Sequence, residues 1–210
     1  MMSSFRPPRR HTTRLGRVAR GDVASLRREL GPPALTATLV AALFLATAIP
    51  VAAQSTPPDF LTEFEGQFEA SAQKLVALAR AMPESTYAWS PGEGVASVAR
   101  VYMHIARYNY MYPDQNLGRE TPVSAGEYER WEEELTDKAE VVRILAASMQ
   151  YVRSVAEEMD AAALGRETSL YGRSVGEWAV LLQLVTHMNE HLGQSIAYAR
   201  MNGVVPPWSR

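Results

Sequence analysis

Two histidines, His187 and His191, stand four residues apart in a segment with helical apolar spacing, and a third, His104, lies far upstream. On a helix, residues i and i+4 project from one face, about 6 Å apart along the axis. Two imidazoles so placed reach one metal ion, and a third from a facing helix closes a three-nitrogen site. The chain has 210 residues, no cysteine and four histidines, and only these three follow residue 53. Absence of Cys excludes disulfides, thiolate zinc sites, a cysteine nucleophile and lipid attachment through Cys. Any metal site must therefore use His, Asp or Glu. Gln183 and Gln194 extend the pair into a polar stripe beside an apolar one of Trp178, Leu181, Val185, Met188, Leu192, Ile196 and Ala199. Polar groups beside a core need partners, water or an ion. From spacing alone, metal binding and a hydrogen-bonded or exposed histidine pair both stand open.

Other chemistry-bearing residues carry plainer readings. His187-Met188-Asn189-Glu190-His191 matches the H-x-x-E-H peptidase pattern. No Asp or Glu follows His191 to supply the further ligand, and Glu190 lies about 100° round the helix from His191. The match is read as accidental. Tyr108 lies one turn beyond His104 and could reach a metal-bound ligand, although an amphipathic residue at the core edge looks the same in sequence. Arg107 reads as a surface ion pair, with an anionic substrate as the alternative. The run Glu132-Glu133-Glu134 reads as a solvated helix face, and Trp89 and Trp208 as packing. Gln183 and Gln194, like Tyr108, are candidates to support a ligand imidazole from outside.

The charge is divided along the chain. Residues 1–53 hold 8 of the 21 Lys and Arg and 2 of the 23 Asp and Glu; the remaining 13 basic and 21 acidic residues give 54–210 a net −8. An acidic body lacks the clustered Lys and Arg on which nucleic-acid binding rests. The basic stretch from Arg6 to Arg28 precedes an uncharged run from Ala34 to Ile49, Pro50, and the small residues Val51-Ala52-Ala53. Basic region, apolar region and small-residue site predict a signal peptide over 1–53, cleaved near Ala53 for export to the periplasm or medium. The alternative is an uncleaved N-terminal membrane anchor. About 16 apolar residues before Pro50 fall short of the roughly 20 that span a bilayer, so no stable span is expected after cleavage. Arg27-Arg28 sits where a twin-arginine motif would, but Glu29-Leu30-Gly31 continues it poorly.

Residues 54–210 must supply the elements that position the histidines. Phe60, Phe64, Phe68, Leu75, Leu78 and Met82 recur at helical steps until Pro83. Pro91-Gly92 and Gly94 mark a loop over 83–96; Ser97 caps a second helix expected to end at Pro113. Ser124 and Glu127 have capping-box form and open a third helix expected over about 124–160. A turn spans Gly165 to Gly172, and Ser174 and Glu177 repeat the box at the head of a fourth helix ending near Asn202, before Gly203. No segment alternates long enough to predict a strand. Four long helices in about 157 residues imply an all-α four-helix bundle.

His187-Met188-Asn189-Glu190-His191-Leu192-Gly193-Gln194, followed by Tyr198, Gly203 and Pro206-Pro207, resembles the last helix of DinB/YfiT-like proteins. The segment from Gly94 to His104-Ile105-Ala106 resembles that family's other ligand helix. The resemblance covers about residues 58–208 and implies a four-helix bundle, often a homodimer, holding a divalent metal through His104, His187 and His191. Zinc or nickel is expected, since imidazole suits both. Some relatives transfer thiols of low molecular weight; an export signal departs from that cytosolic pattern. The expectation is therefore an exported metal-binding protein, either a metal-dependent hydrolase or transferase of a small molecule, or a non-catalytic module braced by its metal.

Overall fold

The structure, a computed structural model, describes residues 59–209; the expected signal peptide over 1–53 lies outside them. The first helix, α1, runs Phe60–Ala81. Asp59 caps it by accepting from the Thr62 amide at 2.9 Å. Met82 turns extended before Pro83, whose ring disfavours a helical residue ahead of it. Phe64, Phe68, Leu75, Leu78 and Met82 are buried as their spacing predicts, and Phe60 is half-buried.

Helix α2 spans Val98–Leu117, with the Ser97 hydroxyl accepting from the Arg100 amide at 3.2 Å. It passes through Pro113, where the sequence reading ended it. Pro113 removes one amide from the ladder, but Tyr112, Pro113 and Leu117 are buried, and that packing carries the helix one more turn. Gly118 stops it in the left-handed region (φ 60°).

The expected third helix is two helices. Helix α3 covers Ala125–Glu134, and Glu127 accepts from the Ser124 amide (3.2 Å) and hydroxyl (2.8 Å). Leu135 then goes extended, and Asp137 starts α4, Lys138–Glu157, by accepting from the Glu140 amide at 2.9 Å. A one-turn helix, α5, follows at Ala161–Leu164.

A hairpin that the sequence reading did not contain comes next, β1 Glu167–Leu170 paired antiparallel with β2 Arg173–Gly176. Tyr171 (φ 52°) and Gly172 (φ 73°) form its two-residue turn, the left-handed pair that matches strand twist. Asn116 donates to the Ser169 carbonyl at 2.6 Å, and the Tyr171 hydroxyl meets that of Tyr112, so the hairpin is tied to the end of α2. Ser174 therefore sits in a strand, bonded to Glu167 at 2.6 Å, and caps no helix.

The last helix, α6, is Trp178–Met201. Round the bundle the neighbours run α1, α6, α2, α4, with α3 packed on the outer side of α2. The core joins Phe68 and Leu75 to Met103, Ile144, Leu145, Leu181 and Met188, all fully buried. Trp178, placed by spacing in the apolar stripe, is 44% exposed, with its ring edge-on to Phe60. The described residues are mostly helical, and no helix among them is long and apolar enough to cross a membrane.

Candidate metal centre

Facing positions of α2 and α6 bring His104, His187 and His191 together, with one ring nitrogen from each within 4.8 Å of the others. The ring centroids of His104 lie 5.0 Å from His187 and 4.8 Å from His191. The Nε2 atoms of His187 and His191 approach to 3.2 Å.

Hydrogen bonds fix two of the tautomers. Glu132 of α3 meets Nδ1 of His104 at 2.9 Å. An ionised carboxylate only accepts, so Nδ1 carries a proton, and in the neutral ring Nε2 is the lone pair. For His191 the sense is set by a backbone carbonyl three bonds away. The Ala96 carbonyl can only accept, so the Tyr198 hydroxyl donates to it (3.1 Å). That hydroxyl accepts from Nε2 of Gln194 (3.0 Å), which turns the Gln194 oxygen toward Nδ1 of His191 (2.8 Å). Nδ1 of His191 must then donate, and its Nε2 is also a lone pair. Two such nitrogens and a third imidazole therefore come together within 4.8 Å of one another.

The surroundings disfavour protonation of His187 and His191. His187 is buried; its ring lies 4.6 Å from that of Tyr108, with Tyr112 edge-on at 6.3 Å. Tyr108 also packs on His104 at 4.6 Å. Burial, followed by the charges of His191 and His104, pushes His187 down to about 3. Burial likewise lowers His191, against the opposing bond from Gln194. Burial alone would raise the Glu132 carboxyl, but bonds from His104 and from Arg107 (3.0 Å) outweigh it and hold the group near 2.

A pH dependence follows for the metal-free protein. His187 takes up a proton near 6.5 when unfolded and near 3 when folded, so between those values the unfolded chain binds more protons. Stability is complete above about 6.5 and is lost as pH falls, by on the order of a few kcal/mol. Glu132 adds a loss in the same direction, from about 4.5 down to 2. Urea unfolding at pH 7 and pH 5 should show a lower midpoint at pH 5, and the drop should shrink in His187→Gln. Identical midpoints at the two pH values in wild type would contradict burial of a neutral His187.

Of the other residues singled out, Gln194 supports His191, while Tyr108 meets the imidazoles through its ring. Gln183 lies beside the Tyr112 hydroxyl instead, and no hydrogen bond among the described residues joins it to a histidine. Glu190 is exposed. Trp89 packs edge-on to Tyr198, whereas Trp208 is 39% exposed. Arg107 is ion-paired as expected, with Glu132 and Glu129.

The correction is Glu132, read in sequence as part of a solvated face and found 7% exposed against His104. Its signal was present: Tyr128, Trp131 and Leu135 recur at three and four residues, and Glu132 shares their side of α3.

A cavity of about 300 Å³ adjoins the centre, lined by Arg100, Val101, His104, Glu132, His191 and Gln194 among others. A second cavity of similar volume, between α1 and α4, touches none of the histidines.

The comparisons with known proteins agree with this architecture. A DinB-like protein of Bacillus cereus superposes with a TM-score of 0.58 at 17% identity, over 70% of this chain and 93% of that one. A DinB-like protein of Bacillus subtilis gives 0.54 at 19% identity, over 68% and 93%. A conserved protein of Enterococcus faecalis gives 0.52 at 14%, over 66% and 94%. Likeness at these identities establishes the fold alone. No curated protein matches the chain. The sequence model of the DinB superfamily matches residues 67–199, a span that contains all three histidines, and on that match the chain belongs to the DinB superfamily.

Proposed function

We propose that this is an exported protein whose His104, His187 and His191 bind one divalent cation, zinc or nickel, and present it to a small-molecule substrate. The observation that carries the reading is the grouping of one ring nitrogen each from His104, His187 and His191 within 4.8 Å, with Nδ1 of His104 and of His191 each engaged by an outer partner. The donor set fits such an ion. Nitrogens about 2.05 Å from a tetrahedral zinc lie about 3.4 Å apart, and the 3.2 Å between His187 and His191 is close to that edge. Three neutral protein ligands are the pattern of catalytic zinc, which keeps a position open. A divalent ion so held supplies Lewis acidity toward a bound water or a substrate heteroatom. The protein's own contribution is orientation. Glu132 holds the His104 ring, Gln194 holds that of His191, and Tyr108 and Tyr112 wall off His187.

A non-catalytic brace is the second reading, because the same three residues join α2 to α6. The cavity beside His104 and His191 favours an open site over a brace. Cobalt(II) substitution separates the two. The visible bands of the cobalt protein should be intense, as for low coordination, and should shift on adding azide. Bands unmoved by azide would mean a closed site and leave the brace.

Export rests on the basic and apolar leader and on Val51-Ala52-Ala53. Mass spectrometry of protein recovered from outside the cytoplasm should show a chain that begins at Gln54. A full-length chain retained in the membrane would contradict it and identify an anchor.

A further inference from the structure

Arg100 stands one turn before His104 on α2 and lines the cavity that adjoins the centre. Its side chain is 52% exposed, and its Nε lies 3.9 Å from Glu132, beyond hydrogen-bonding distance. Glu132 is a long ion-pair partner for it and is shared: one oxygen takes His104 at 2.9 Å and the other takes Arg107 at 3.0 Å. Among the described residues no acceptor is hydrogen-bonded to the Arg100 guanidinium. Glu132 is also the only carboxylate that lines this cavity; Glu133 lines a separate recess that shares Arg100 and Glu132 with it. With a divalent ion on three neutral imidazoles, the cavity would carry two positive centres, the ion and Arg100, against one carboxylate that Arg107 also shares.

We infer that this cavity takes a small organic acid, its carboxylate held by Arg100 and a neighbouring oxygen donor directed at the metal. The inference rests on the three-histidine reading and adds to it the class of ligand. A guanidinium presents paired donors that match a carboxylate in its own plane, which makes Arg100 the residue that selects for charge. One helical turn, about 6 Å, separates Arg100 from His104 along the axis. A carboxylate and an oxygen on the adjacent carbon span that separation once a hydrogen bond and a metal–oxygen bond are added at either end. A volume of about 300 Å³ admits a ligand of that size with water beside it.

The test uses the cobalt(II)-loaded protein with glycolate and its uncharged analogue glycolamide, read by the visible spectrum. Glycolate should shift the wild-type bands and bind at least about tenfold more tightly than glycolamide. Arg100→Gln should lose about tenfold or more in glycolate affinity, with cobalt affinity and the ligand-free spectrum unchanged, and Arg100→Lys should fall between. Equal glycolate affinity in wild type and Arg100→Gln would overturn the inference, as would equal affinity of wild type for the two probes. Failure of wild type to take up cobalt would instead overturn the three-histidine reading, and this inference with it. The two failures are told apart by the cobalt bands themselves.

Discussion

Alanine at His104 is expected to weaken divalent-metal binding by more than 100-fold, as severely as alanine at His187 or His191. The expectation is informative because His104 comes from a different helix. A pair at i and i+4 on one helix already supplies two nitrogens, and weak binding by that pair alone would survive loss of His104. Three converging nitrogens behave differently, since each fixes the position of the ion for the others. Loss of an outer partner costs about 10–100-fold, so loss of a ligand must exceed that range. The fold should survive each change. His104 and His191 are only partly buried, and alanine is a good helix former at all three positions. Circular dichroism should therefore match wild type while calorimetric titration shows the loss.

Glu132 should behave as an outer partner whose removal is felt at the metal. Glu132→Ala frees the His104 ring to rotate and to exchange tautomers, and affinity should fall about 10–100-fold. It also leaves Arg107 without its main partner in a half-buried position, at a cost of about 1–3 kcal/mol in stability. Glu132→Gln separates the two contributions. Its amide oxygen still accepts from Nδ1 of His104, so the ring stays oriented, but the negative charge behind it is gone. Affinity in Glu132→Gln should be intermediate and should recover much of the loss seen with alanine. Affinity equal to wild type in Glu132→Ala would show that α3 contributes only packing.

The elements that were legible from sequence are those whose period and caps act locally. Helix α1 follows from its phenylalanine spacing and from Pro83. The two histidine-bearing helices follow from Ser97 and from the long apolar stripe before Gly203. Three histidines in an otherwise histidine-free body left little choice of imidazole. The misread parts are those in which tertiary contacts override a local rule. Pro113 is a helix breaker in isolation, yet burial of Tyr112, Pro113 and Leu117 carries α2 past it. Four-residue strands with a single buried side chain, Leu170, show no alternation to detect, and Tyr171 is an unusual residue for a left-handed turn. Its hydroxyl contact with Tyr112 accounts for its place there. The break between α3 and α4 did have a local signal in Asp137 and Glu140, the same spacing as Ser124 and Glu127. That break lets α3 lie across α2 and carry Glu132 to His104, so missing it meant missing Glu132 as well.

Three imidazoles on two helices are expected to hold one divalent ion. The most direct measurement is calorimetric titration of zinc into the metal-free protein, mature and without a histidine tag, at pH 7. One equivalent per chain should bind, and because burial lowers both His187 and His191, the affinity should hold below the ordinary histidine range and fall only in the more acid range where these two rings take up protons. Absence of saturable binding in the wild-type protein, or an affinity unchanged in His104→Ala, would contradict the three-histidine centre.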